Sequence, residues 1–158
     1  MNARSNSGSS PLLLIENQLC FALYTTSRAI TKQYSILLKD LGVTYPQYLA
    51  LLVLWERDGL LVQEIARALE LDGATATPIL QRMEKLGLVT RKRSAEDERR
   101  VQVYLTQKGR SLYDRALEVP YELGRATGLN EQIAKRIIKQ MNTIKKHLAA
   151  QNRNAAGL

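Results

Sequence analysis

The chain contains one cysteine, Cys20, in the apolar stretch LCFALY. A cysteine thiolate is a nucleophile that oxidants can attack, whereas a cysteine buried among apolar side chains is usually inert. Taken alone, the surroundings of Cys20 favour the inert interpretation. A single cysteine also excludes a disulfide within the chain and is typical of a reducing cytoplasm, where we expect the protein to be located.

Other patterns for catalysis or metal binding do not occur in the sequence. His147 is the only histidine, so it cannot form a catalytic triad or a metal site by itself. There is no glycine-rich phosphate loop. A thiol peroxidase would also use a single cysteine, but the sequence lacks the alternating strands of a thioredoxin-like fold. We therefore predict that the protein is not an enzyme and has no cofactor and no metal site.

The segment from 61 to 109 has the pattern of helix, turn, helix and a two-stranded hairpin. Two apolar stripes at helical spacing predict the two helices, formed by Val62, Ile65, Ala66 and Leu69 and by Ala76, Ile79, Leu80, Met83 and Leu86. Asp72 is predicted to cap the second helix and Gly87 to end it. The other side of the second helix carries the polar residues Thr75, Pro78, Gln81, Arg82 and Lys85. Such a face is either solvated or contacts DNA.

Two short strands follow, at 88–93 and 101–105, with the charged segment SAEDERR between them. The first strand carries Arg91, Lys92 and Arg93. A charge run is often only a solvated loop, but an arginine on a protruding hairpin suits the negative potential of the DNA minor groove. A helix-turn-helix followed by such a hairpin predicts a winged helix-turn-helix, which places its second helix in the major groove.

These residues resemble a known family. The stretch DERRVQVYLTQKG, preceded by LDGATATPILQRMEKLGLVTRKRS, is similar to the MarR family of winged-helix transcriptional repressors, and the resemblance extends over residues 12–147. It implies that Arg99 enters the minor groove, that Asp97 orients Arg99, and that residues 74–82 contact the major groove. The DNA-contacting residues expected from the pattern and the resemblance are Ala74, Thr75, Thr77, Pro78, Gln81, Arg82, Arg91, Arg93, Asp97 and Arg99.

The net charge of +8 favours a polyanionic partner, but it does not separate DNA from RNA or an anionic membrane. Residues 61 to 105 hold 8 Lys/Arg against 7 Asp/Glu, whereas residues 106 to 158 hold 10 against 4. The DNA prediction therefore depends on where the basic residues lie. No stretch is long and apolar enough for an export signal or a membrane span, so we expect no membrane partner.

The segments on both sides of the winged helix are predicted to be helical. A long apolar stripe indicates a helix over 12–41, and Thr44, with Pro46, begins a central buried helix that ends at Asp58 and Gly59. Thr106 is expected to cap a helix towards Thr127, which Pro120 kinks or interrupts. After Gly128, Asn130 caps a last helix with an apolar seam and a basic opposite face, the seam being Ile133, Ile137, Met141, Ile144 and Leu148.

The apolar seams of the terminal helices are most simply explained by a second copy of the chain. A two-fold homodimer would place two second helices about one DNA turn apart, as a pseudo-palindromic duplex operator requires. The resemblance implies the same dimer. The predicted fold class is mainly α with a small β-hairpin wing. We expect a disordered tail over 1–11, a single domain over 12–151 with dimerisation helices at 12–41 and 106–151, and a tail over 152–158.

The N-terminal stretch NQLCFALYTTSRAITKQYSILLKDLGVTYPQYLALLVLWE resembles the branch of this family that senses organic hydroperoxides. The resemblance implies that Cys20 is the peroxide-reactive group and that the hydroxyls of Tyr24, Tyr34 and Tyr45 surround its sulfur. Tyr34 follows Cys20 by 14 residues, about 21 Å along one helix, so these two residues could meet only across a dimer. No second cysteine is present, so oxidised Cys20 must react with a low-molecular-weight thiol, cyclise with a backbone nitrogen or oxidise further, and we expect the reaction with the thiol.

The expected function is a transcriptional repressor that releases its operator when organic hydroperoxide oxidises Cys20. One alternative is a repressor of the same fold that responds to a small phenolic or lipophilic ligand while Cys20 is passive. Alternatives of another class are a thiol peroxidase and an architectural protein that binds DNA without sequence preference. Release from DNA by peroxide distinguishes the first of these functions from the ligand-responsive repressor, and preference for a specific site over competitor DNA distinguishes both from the architectural protein.

Overall fold

The protein is described by a computed structural model that covers residues 10–93 and 100–155. Two 3-10 turns, Pro11–Leu13 and Ile15–Asn17, precede seven helices and three strands in these residues. The helices are α1 Leu19–Leu37, α2 Tyr45–Glu56, α3 Val62–Ala68, α4 Gly73–Lys85, α5 Gln107–Ala116, α6 Glu118–Thr127 and α7 Glu131–Ala155. The strands are β1 Leu60–Leu61, β2 Val89–Arg93 and β3 Val101–Leu105. The predicted class, mainly α with a small β wing, is confirmed.

The chain forms two compact units, 1–116 and 117–158, and the winged helix lies in the first. The predicted single domain over 12–151 and its dimerisation helices remain predictions. The predicted tails at 1–11 and 152–158 lie largely outside the described residues, although α7 itself continues to Ala155.

Helix α2 is the centre of the first unit. Its residues Tyr48, Ala50, Leu51 and Leu54 are all buried, as its almost uniformly apolar sequence predicts. The backbone N–H of Thr44 donates to Oε1 of Gln47 at 2.9 Å, so the predicted N-terminus is confirmed. Most of the other fully buried large side chains come from α3, α4 and the sheet, namely Ile65, Leu80, Met83, Val89 and Val103, and two come from connections, Leu38 after α1 and Leu88 before β2.

The helix-turn-helix is formed by α3 and α4, which pack against each other and against α2. The carboxylate of Asp72 accepts the backbone N–H of Thr75 at 2.6 Å and its hydroxyl at 3.0 Å. Gly87 has a φ of 70° directly after the helix, a conformation that glycine adopts without strain. The predicted beginning and end of α4 are therefore confirmed.

The sheet has the order β1-β3-β2 and is antiparallel throughout. The predicted hairpin is confirmed, with Arg91 opposite Val103 and Arg93 opposite Val101. Strand β1 was not predicted, because two residues are too few for a periodic pattern and it forms only by pairing with β3.

Hydrogen bonds fasten the base of the hairpin to its neighbours. The carboxylate of Asp58 accepts the backbone N–H of Leu105 at 2.8 Å and forms an ion pair with Arg110. The hydroxyl of Thr106 donates to the carbonyl of Gly87 at 2.6 Å, and Nζ of Lys108 donates to the carbonyl of Leu86 at 2.9 Å. The first turn of α5 is thus joined to the end of α4.

The predicted helix over 12–41 is wrong at both ends. The α-helix begins only at Leu19, because the residues before it form 3-10 turns. Side-chain amides stabilise these turns: Asn17 donates to the carbonyl of Pro11 at 2.8 Å and Gln18 to that of Leu12 at 2.6 Å. At the other end α1 stops at Leu37, and a turn leads to Gly42 with a φ of 69°.

The predicted helix from Thr106 towards Thr127 is interrupted as expected, but the break lies at Leu117, before Pro120. Proline has no N–H for the carbonyl four residues earlier, here Ala116, where α5 ends. The caps of the other helices are confirmed: Thr106 accepts the N–H of Gly109 at 3.1 Å, and Asn130 accepts that of Ile133 at 2.9 Å.

The space around two glycines predicts how differently they tolerate a side chain. A Cβ added to Gly109 would overlap the carbonyl oxygen of Leu88, whereas one added to Gly73 meets nothing within 4 Å. Gly109→Ala should therefore lower the free energy of unfolding by about 1 to 3 kcal/mol. Gly73→Ala should leave it unchanged or raise it by up to about 1 kcal/mol. Urea unfolding measures both, and equal stabilities would contradict this packing.

Candidate functional site

Cys20 is exposed near the beginning of α1. Tyr24 lies one turn further along the helix and is also exposed. Nη1 of Arg28 donates to the hydroxyl of Tyr24 at 3.2 Å, and its guanidinium carbon lies 5.5 Å from the centre of the Tyr24 ring. Sequence reasoning considered only one turn around Cys20 and therefore missed this cation, which reaches the cysteine's neighbour from two turns away.

Tyr34 and Tyr45 are brought together by the packing of α1 on α2. Their rings stack with centroids 4.3 Å apart, and the ring of Tyr48 lies 5.8 Å from that of Tyr34. Tyr48, which is 2% exposed, was missed by sequence reasoning, although its position one turn after Tyr45 could have indicated it. We call Tyr34, Tyr45 and Tyr48 the tyrosine cluster.

The hydroxyls of the tyrosine cluster are held in the protonated form. Burial, followed by the neighbouring hydroxyls of Tyr45 and Tyr48, raises the pKa of Tyr34 to about 12. Burial also raises the pKa of Tyr45 and of Tyr48. At neutral pH the cluster therefore presents hydrogen-bond donors, which stabilise an anion such as a thiolate.

The structure does not bring the tyrosine cluster to Cys20 within one chain. Cys20 and Tyr34 belong to the same uninterrupted helix, so about 21 Å separates them along its axis. None of the residues of α1 is buried, although the helix carries large apolar side chains. Leu19, Leu23 and Ile36 are 57%, 40% and 61% exposed. In the second unit, Ile133 and Ile137 of the predicted seam are likewise exposed.

The polar face of α4 is exposed as predicted, including Ala74, Thr75, Pro78, Gln81, Arg82 and Lys85. Thr77 is half-buried, and its hydroxyl donates to the carbonyl of Gly73 at 2.7 Å. The hydroxyl of Thr75 is bonded to Asp72. Both hydroxyls thus support the start of the helix, and Gln81 and Arg82 are the longer polar side chains on the exposed face.

A groove of about 540 Å³ lies beside α4, between its C-terminal half and the α1–α2 connection. Lys39, Arg82 and Lys85 supply its charges, and Leu38, Val43 and Leu86 its apolar lining. We call it the helix groove. Lys39 was not among the predicted DNA contacts, because only the fold brings the end of α1 next to α4.

A second cleft, of about 240 Å³, lies between α4 and the wing, which comprises β2, β3 and the segment joining them. Arg91 and Arg100 border this wing cleft together with Gln63, Gly73 and Thr77. Arg91 is not simply solvated: its backbone N–H and Nε donate to the carboxylate of Glu84 at 2.9 and 2.8 Å. Arg100 and Glu84 were both missed by sequence reasoning, since their roles depend on the pairing of helix and wing.

The other predicted DNA contacts are Arg93, Asp97 and Arg99. Arg93 is exposed at the end of β2, whereas Asp97 and Arg99 lie outside the described residues. Within residues 10–93 and 100–155, no three metal-binding side chains come together. None of the helices in these residues is both long enough and apolar enough to span a membrane.

Comparison with known proteins agrees with this geometry. Residues 32–116 match the family described as transcriptional regulator SarA/Rot. The chain is 53% identical over 118 residues to the organic hydroperoxide resistance transcriptional regulator of Bacillus subtilis, covering 75% of this chain and 78% of that protein. Among solved structures it is similar to AbfR, from Staphylococcus epidermidis. Reduced and overoxidised AbfR, both bound to DNA, each superpose with a TM-score of 0.71 at 35% identity. These superpositions cover 85% of this chain, and 93% and 94% of the AbfR chains.

The tyrosine cluster predicts a specific alkaline behaviour. The ordinary tyrosine pKa is 10.0 and that of Tyr34 is about 12, so an unfolded chain releases this proton first. Stability should therefore fall as the pH rises from about 10 to about 12, and Tyr34→Phe should reduce this loss, leaving the part that comes from Tyr45 and Tyr48. Tyrosinate absorbance should show one late-titrating group disappear in Tyr34→Phe but persist in Tyr121→Phe, which alters an exposed tyrosine of α6. A titration curve unchanged by Tyr34→Phe would contradict the assignment.

Proposed function

Because this chain belongs to the MarR family of winged-helix transcriptional regulators, we propose that it is a repressor that binds operator DNA as a homodimer and releases it when organic hydroperoxide oxidises Cys20. The observation that carries the proposal is the combination of a cationic DNA-facing surface with a lone exposed cysteine and a cluster of protonated tyrosines. The Bacillus relative is named for resistance to organic hydroperoxides, which supports the signal.

The two clefts beside α4 suit a duplex. An α-helix fits the major groove, whose walls are phosphate backbones about 12 Å apart. With α4 in that groove, the helix groove and the wing cleft lie on its two sides, where Lys39 and Arg100 face the backbones. Gln81 and Arg82 then point at base edges. Backbone contacts fix the position of the protein, and the side chains of α4 supply sequence preference.

The dimer is proposed because a single chain leaves its apolar helices uncovered. A helix with as many exposed large apolar residues as α1 is stable in water only when another surface covers it. A second copy also accounts for the separation of Cys20 from the tyrosine cluster within one chain. A two-fold axis can place Tyr34 and Tyr45 of one chain beside the sulfur of the other. Tyr24, on the cysteine's own helix, would complete the surroundings.

The proposed chemistry is an attack by the Cys20 thiolate on the outer oxygen of a hydroperoxide. A sulfur–oxygen bond forms, the oxygen–oxygen bond breaks, and the leaving alkoxide takes a proton and departs as an alcohol. Sulfur is oxidised to a sulfenic acid and the peroxide is reduced. In the proposed dimer the tyrosine hydroxyls donate hydrogen bonds to the sulfur before the reaction.

Release is proposed to need a second step. A sulfenic acid adds one oxygen, which neighbouring hydroxyls can still accommodate, and overoxidised AbfR was crystallised bound to DNA. With no second cysteine in the chain, a low-molecular-weight thiol condenses with the sulfenic acid, forming a mixed disulfide and releasing water. Such an adduct overfills the helix interface, costing about 1 to 3 kcal/mol, and shifts the two α4 helices relative to each other.

The DNA surface is tested at Lys39. Lys39→Ala should weaken binding to the operator and to a scrambled duplex alike, because a backbone contact carries no sequence information. The slope of log affinity against log salt should fall by about one. Lys139→Ala, on α7, removes the same charge from a residue that lines neither of the two clefts, and should leave both unchanged. Matching losses for the two variants would indicate that only net charge matters.

The sensor is tested at Cys20. Cys20→Ser should bind DNA as the unmodified protein does and should not respond to peroxide. For the unmodified protein, organic hydroperoxide together with a small thiol should release DNA more completely than hydroperoxide alone. Fluorescence anisotropy on DNA from upstream of its own gene measures release, and mass spectrometry identifies the adduct. Release of Cys20→Ser by hydroperoxide would end the sensor proposal and favour a ligand-responsive repressor.

A further inference from the structure

Glu84 is an acidic residue of α4 whose carboxylate is bonded to the wing. Its Oε1 accepts the backbone N–H of Arg91 at 2.9 Å, and its Oε2 accepts Nε of the same residue at 2.8 Å. The Arg91 side chain is only 25% exposed as a result. These hydrogen bonds lower the pKa of Glu84, so its carboxylate is ionised at neutral pH.

This arrangement constrains both the strand and the guanidinium. The bond to the backbone N–H holds β2 at a fixed distance from α4, and the bond to Nε sets the direction of the arginine head. Neither bond uses Nη1 or Nη2 of Arg91. An arginine held in this way loses less conformational entropy when its remaining donors bind an anion.

The wing cleft that Arg91 borders has the composition of an anion site. Arg91, in β2, and Arg100, directly before β3, contribute two positive charges, and the other described lining residues are Leu61, Val62, Gln63, Gly73, Thr77 and Val101. None of these described lining residues carries a carboxylate. An arginine head suits the oxygens of a phosphodiester because its donors form a planar fork.

We propose that Glu84 is a positioning residue for DNA binding, whose carboxylate holds Arg91 so that Nη1 and Nη2, which Glu84 does not engage, meet a backbone phosphate in the wing cleft. This inference rests on the proposed DNA-binding function. The inference also predicts the direction of the change in DNA affinity. A carboxylate close to DNA repels phosphates, so by charge alone its removal should strengthen binding. If Glu84 acts through Arg91, its removal weakens binding instead.

The test compares Glu84→Ala, the isosteric Glu84→Gln, Arg91→Ala and the double variant Glu84→Ala/Arg91→Ala. Glu56→Gln, which removes an exposed carboxylate at the end of α2, is the charge control. The probes are a duplex from upstream of the chain's own gene and a scrambled duplex of the same length, titrated at several salt concentrations. Thermal unfolding of each variant, without DNA, shows whether the fold is retained.

Both Glu84 variants should bind each duplex about tenfold more weakly than the unmodified protein, a loss expected for one charged hydrogen-bonding contact. Their salt slopes should fall by about one, as in Arg91→Ala, because the phosphate contact is lost in each. The double variant should bind no more weakly than Arg91→Ala. Glu56→Gln should bind as tightly as the unmodified protein or slightly more tightly.

Three results would overturn the inference. One is tighter or unchanged binding by the Glu84 variants, which is the effect of charge alone. A second is additive losses in the double variant, which would show that Glu84 does not act through Arg91. A third is weaker binding that follows reduced thermal stability while the salt slope stays the same. Failure of the unmodified protein to bind either duplex would instead reject the proposed function.

Discussion

The hydrogen bonds that join the end of α4 to the start of α5 determine the shape of the surface proposed to bind DNA. Thr106 and Lys108 bond the carbonyls of residues 86 and 87, and Nε1 of Trp55 donates to the carbonyl of Gly109 at 3.1 Å. Helix α4, the base of the wing and the buried helix α2 are therefore held together. A shift of any one of them changes the positions of Arg82 and Arg91, which lie on opposite sides of α4.

The distribution of charge follows from this frame more than from composition. The winged segment over 61–105 is nearly neutral in sequence, yet Arg82, Lys85, Arg91 and Arg100 border the two clefts, whereas several acids of the first unit accept backbone hydrogen bonds. Asp72 caps α4, Asp58 holds β3, and Glu84 holds β2. A surface of this kind attracts a polyanion locally although the segment as a whole carries little net charge.

The proposed sensor region differs from the proposed DNA-binding surface because its parts lie far apart within one chain. The tyrosine cluster is assembled by contacts between α1 and α2, while Cys20 lies at the far end of α1. The rings continue from Tyr48 to Trp55, whose centroids are 6.4 Å apart, so the cluster packs on the same helix that supports the wing. The proposed sensor and the DNA-facing surface therefore share α2 as a common support.

The sequence by itself determined the helix caps at Thr44, Asp72 and Asn130, the location of the hairpin, and the exposed face of α4. These features depend on local hydrogen bonds and on periodicity. A family resemblance also singled out Cys20 and two members of the tyrosine cluster. Only the tertiary structure decided the pairing of β1, the place of Lys39 and Arg100 beside α4, the burial of Tyr48 and the engagement of Arg91 by Glu84. These features join residues that are distant in sequence or belong to different elements, and their contacts exist only after the elements have packed.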